Sequence, residues 1–109
     1  MKISYNAGKI SVELEGDTQK DLFAQLSAFQ EVFDESACGK CGSTNLRFVT
    51  REVDGNSYYE IRCLDCGARL EFGQSKQGGG LFPRRKSKEG EWLPDGGWVK
   101  WNSKTKSVE

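Results

Sequence analysis

Four cysteines in two C-x-x-C pairs limit what this chain can fold into more than any other feature. Cys38 and Cys41 form one pair, Cys63 and Cys66 the other, and 21 residues separate them. A tetrahedral metal site needs four donors within bonding distance of one point, about 2.3 Å for thiolate sulfur on zinc. Two residues between ligands let one tight turn deliver both sulfurs. Gly42 and Gly67 each follow the second cysteine of a pair, and Gly39 falls inside the first. These are positions where a knuckle calls for positive φ or close backbone approach.

The intervening segment suits the same plan. "LRFVTREV" and "SYYEIR" read as strands joined by "DGN", a hairpin signal, and strand-out, strand-back returns Cys63 to the neighbourhood of Cys41. "ARLEF" then adds a third strand. The spacing predicts one structural Zn2+ held by Cys38, Cys41, Cys63 and Cys66. A redox pair would more often sit at a helix N-terminus, and both pairs here lie in turns beside strands.

In residues 36–73 the chain resembles the zinc ribbon family, in which two knuckles on a three-stranded sheet clamp one structural zinc. With the flanking segments included, it is similar to small zinc-ribbon proteins encoded by bacteriophages among replication and recombination genes. That resemblance implies a single-stranded DNA-binding or accessory role in the cytoplasm of a bacterial host. It supplies no binding residues.

The segments around the ribbon read differently. Residues 2–5 and 9–15 are β-rich and separated by "NAG", which predicts a short hairpin. Leu22, Leu26, Phe29 and Phe33 then recur at helical spacing, widened by Phe23 and Val32, which predicts a helix over about residues 18–34. Asp17 or Thr18 is its expected N-cap. After residue 72 come "GQSKQGGG", "PRRKSK" and "PDGG", with only "GWVKW" strand-like. The expected class is α+β: a ββα head (1–35), a three-stranded four-cysteine zinc ribbon (36–73), and an irregular basic and aromatic extension packed on or beside it (74–109).

Charge separates the function classes. The net charge is zero, yet residues 1–36 carry three Lys against seven acids and residues 73–109 carry eight Lys and Arg against four. With no histidine the commonest general base is missing, a set of four cysteine ligands leaves no open metal position, and no nucleotide-loop or paired-carboxylate motif stands out. Enzymatic activity is not expected. There is no apolar run of membrane-spanning length, so no membrane association is expected, and paired cysteines without a signal-peptide pattern point to a reducing, intracellular setting.

Cations interleaved with aromatic rings suit single-stranded nucleic acid, DNA rather than RNA on the resemblance. The candidate contacts are Arg47, Arg51 and Tyr58 on the ribbon and Arg84, Arg85, Lys86, Trp92 and Trp101 behind it. Whether each tryptophan is core or stacking surface stays open. The rival reading is a protein-interaction module in which the acidic head and its helix engage a replication, transcription or host-defence protein. A homodimer through the helix face also stays open.

Overall fold

The computed structural model describes residues 1–75, 79–102, 104 and 107–108. The chain divides into two compact units, Met1–Ser36 and Ala37–Glu109. Lys76, Gln77 and Gly78 of the glycine-rich segment lie outside the described residues.

In the first unit β1 (Lys2–Ala7) and β2 (Ile10–Glu15) pair antiparallel, with Ala7 opposite Ile10. Gly8 takes φ 60° in the two-residue turn, so β1 runs on through Asn6 and Ala7 rather than stopping at Tyr5. Helix α1 (Gln19–Phe33) begins where the sequence changes period. Its N-cap is Thr18, whose hydroxyl oxygen accepts the Asp21 amide at 3.1 Å. Leu22 is buried, Tyr5 meets Phe29 edge-on at 6.1 Å, and Phe29 stacks on Phe33 at 5.0 Å. Phe23, expected to widen the apolar stripe, is instead 78% exposed. A two-stranded hairpin covers only a narrow strip of a helix, and Phe23 lies about 100° round from Leu22.

The second unit is built on a four-stranded antiparallel sheet in the order β3 (Leu46–Val53), β4 (Asn56–Cys63), β5 (Arg69–Gln74), β6 (Leu81–Pro83). Asp54 and Gly55 form the β3–β4 turn with φ of 52° and 82°, the left-handed pair that a two-residue hairpin requires. The fourth strand lies in the segment expected to be irregular. Ser75 donates its amide to the Gly80 carbonyl at 2.8 Å, which turns the chain back so that Phe82 pairs with Gly73. Pro83 has no N–H to offer, and an edge strand is where that is tolerated.

Ile61, Cys63, Leu70 and Phe72 are buried, together with Ala68 and Trp98. The registers place Ile61 opposite Leu70 and alternate them with Glu60 and Glu71, so one sheet face forms the core. Val99 exchanges both backbone hydrogen bonds with Arg69 at 2.8 and 2.9 Å, and alternation then sends Trp98 to the core face. The "GWVKW" segment is thus a single bridge at Val99, followed by β7 (Trp101–Asn102) pairing with β8 (Ser107–Val108). No helix among the described residues is long and apolar enough to cross a membrane.

Candidate metal centre and the arginine face

Both cysteine pairs fold as the same turn. In the first, Cys38 donates its amide to Ser43 O at 2.8 Å and Gly42 donates to Cys38 O at 2.9 Å. In the second, Cys63 donates to Ala68 O at 2.9 Å and Gly67 to Cys63 O at 3.0 Å. Gly42 and Gly67 sit at φ 77° and 79°, the left-handed conformation that turns each chain back beneath its sulfurs. The 21-residue separation becomes spatial proximity because β3 and β4 pair from Val53–Asn56 down to Leu46–Cys63.

The four sulfurs lie within 4.8 Å of one another, with Cys38–Cys66 and Cys41–Cys63 both at 3.6 Å. Donors 2.3 Å from a tetrahedral centre lie about 3.8 Å apart, whereas a disulfide would close to about 2.05 Å. The set therefore fits one four-coordinate metal ion and is not cross-linked. Amides point at the sulfurs: Lys40 N at 3.3 Å from Cys38 Sγ, Ser43 on Cys41, Cys66 N at 3.5 Å together with Asp65 on Cys63, and Ala68 on Cys66. Such donors stabilise thiolate.

Without a metal the four thiols compete for charge. The Cys66 and Asp65 amides hold Cys63 down at about 7 against desolvation. The Ser43 amide also lowers Cys41, but desolvation and its thiol neighbours outweigh it and push that group up to about 12. Asp65, inside the second pair, accepts hydrogen bonds from the Ser43 hydroxyl and from Asn45 Nδ2 at 3.3 Å, so it ties one knuckle to the other; these two donors hold its carboxyl below the ordinary value.

The C-terminal extension closes over the first knuckle. A Cβ at Gly39 would overlap the Asp95 carbonyl oxygen and the Trp98 ring, and Lys40 Nζ pairs with Asp95 Oδ2 at 2.7 Å. Trp98 is 2% exposed, a core residue.

The outer sheet face gathers charge in rows. Arg47 stands opposite Arg62, and Arg62 opposite Arg69. Two residues further along come Val49, Glu60 and Glu71, with Arg84 donating its amide to Glu71 O at 2.9 Å. Next come Arg51 and Tyr58, and, continuing the register by one residue, Gly73 with Phe82 beyond it. Glu60 is 3% exposed and accepts from Arg51 Nε at 2.9 Å and Arg62 Nη2 at 2.8 Å; Arg69 Nε lies 3.6 Å from its other oxygen and 3.1 Å from Glu71. Arg51 also covers the Tyr58 ring at 4.9 Å.

The sequence-predicted contacts thus separate into groups. Arg47, Arg51 and Tyr58 share the outer face, and Arg84 continues its register. Arg85 donates to Gly96 O at 2.7 Å, a structural contact. Lys86 lies over the Trp92 ring at 4.6 Å, on a small hairpin closed by Ser87 N to Glu91 O and Leu93 N to Arg85 O. Trp92 and Trp101 are exposed, and Trp101 belongs to the separate β7–β8 pair. Arg62 and Arg69 had strand positions legible in the sequence. Phe82 had no such signal, because its face depends on β6 joining the sheet. Comparisons with protein-family models, curated proteins and solved structures return no match.

Proposed function

We propose that this chain is a non-catalytic, zinc-stabilised module that binds single-stranded nucleic acid, DNA in preference, on the outer face of its four-stranded sheet. The supporting observation is the concentration of Arg47, Arg51, Arg62, Arg69 and Arg84 against Glu60 and Glu71 on one face that also carries Tyr58 and Phe82. Cations neutralise phosphates and release counterions, while flat rings take unpaired bases. The exposed Lys86–Trp92 pair repeats the same chemistry nearby in the sequence.

Zinc is the ion favoured by four thiolates in a closed tetrahedron, and its role here is to hold the two knuckles together. Work on exposed single strands, as in phage replication or recombination, is the setting that the family resemblance suggests. Fluorescence anisotropy with labelled oligo-dT and duplex competitor tests the binding. Salt-sensitive binding that duplex displaces poorly supports it; no binding at low salt removes it.

A second reading has its own observation. Phe23 stands 78% exposed on the helix of a unit with four excess acidic charges, which suits docking of a protein through the head. Recovery of one stoichiometric protein partner that Phe23→Ser abolishes, with no nucleic-acid binding, would favour it.

A further inference from the structure

We infer that Phe82 and Tyr58 form a base-stacking platform on which a single strand lays neighbouring unpaired bases, with Gly73 as the opening that makes it; this rests on the reading just given. Gly73 is buried although it sits on the outer face, because the Phe82 ring lies across it: a Cβ there would fall on ring atoms Cζ, Cε2 and Cε1. The ring that covers Gly73 is itself 42% exposed, as is Tyr58. Two part-exposed rings therefore lie on one row of a face whose other side chains are mainly charged, with Val49 and Val53 as aliphatic members.

Adjacent strands are about 4.8 Å apart, so a ring lying over β5 stands about one strand spacing from the Tyr58 position on β4. Any side chain at Gly73 would lift the Phe82 ring and break the platform. Arg51, on the β3 side, holds the far end of the row through its contact with Tyr58 at 4.9 Å and its bond to Glu60. Glu60 thereby orients cations and aromatics together. The Arg47–Arg62–Arg69 row lies four residues along the strands, about 13 Å away, where the phosphates that follow the stacked bases can reach it. Arg84 lies between the two rows. A polyanion alone would need only the arginines. Exposed rings on the same face point to a ligand that also has flat apolar faces, which is what separates a nucleic acid strand from an acidic peptide.

The test uses the full zinc-loaded chain and three probes: labelled oligo-dT, a strand of equal length made of abasic spacers, and poly-glutamate. Phe82→Leu keeps an apolar cover over Gly73 and removes the flat ring; Phe82→Tyr keeps the ring. Wild type is expected to bind oligo-dT about ten-fold more tightly than the abasic strand, with Phe82→Leu losing that preference and Phe82→Tyr keeping it. Equal wild-type binding to oligo-dT and abasic strand, poly-glutamate binding as tight as oligo-dT, or an unchanged preference in Phe82→Leu overturns the platform while leaving salt-dependent single-strand binding in place. Failure of wild type to bind either strand at low salt overturns both readings.

Discussion

The indole of Trp98 packs across Gly39, the residue inside the first cysteine pair, so the C-terminal segment forms a wall of the metal centre. Gly39→Ala would drive a methyl into the indole and the Asp95 carbonyl. The expected cost is about 1–3 kcal/mol, read from urea unfolding of the metal-loaded chain. The Trp98 indole N–H is buried without an acceptor among the described residues. Trp98→Phe, which removes that unpaired donor and keeps a ring, is therefore expected to be milder than Trp98→Ala. Equal losses would contradict this packing.

Metal removal should unfold the second unit. Zinc binding by four thiolates is worth on the order of 10 kcal/mol, comparable with the whole stability of a small domain. Circular dichroism during EDTA titration should lose the sheet signal as zinc leaves, at one zinc per chain. Protons oppose the metal. Each thiol gives up its proton to bind the ion, and Cys41 without metal is held up at about 12, so metal binding releases protons and the metal-dependent stability is lost on acidification. A sheet signal unchanged after one equivalent of metal per chain has passed to the chelator would show that the thiols do not organise the fold.

Glu60 is the buried anion that three arginines share. Glu60→Gln removes its charge while the partly exposed guanidiniums can turn to water, so the expected loss is about 1–3 kcal/mol in urea unfolding. Removing a negative charge from the face should leave oligo-dT affinity equal or tighter. Weaker binding with unchanged stability would show that holding Arg51 and Arg62 in place matters more to the strand than the negative charge removed.

The gathering of the four cysteines, the hairpin around Asp54–Gly55 and the helix from Gln19 to Phe33 were legible because each is encoded locally, by spacing, by turn chemistry or by period. Glu60 was not, since in an alternating strand it reads as one more solvated acid. Its burial depends on Arg51, Arg62 and Arg69 arriving from three strands. Trp98 and Phe82 were illegible for a related reason. Both lie in glycine-rich sequence, and their faces are set by pairing of Val99 with Arg69 and of Phe82 with Gly73, registers that no local pattern carries.

Trp92 separates surface function from stability. It is 70% exposed, and its ring carries the Lys86 ammonium at 4.6 Å, a contact worth about 0.5–1 kcal/mol at such a site. Trp92→Ala should leave the unfolding midpoint nearly unchanged and weaken oligo-dT binding about five-fold or more. A large drop in stability would instead make Trp92 part of the fold.

The salt dependence of oligo-dT binding, compared between wild type and Arg47→Ala/Arg84→Ala, tests the functional account most directly. Both arginines face outward, and neither has a carboxylate partner among the described residues, so their removal should leave the fold intact. Each phosphate contact on a single strand contributes about −0.7 to the slope of log K against log salt. The account predicts a clear negative slope for wild type and one shallower by about 1.4 for the double variant. An identical slope in the two proteins, or no binding by wild type at low salt, would contradict it.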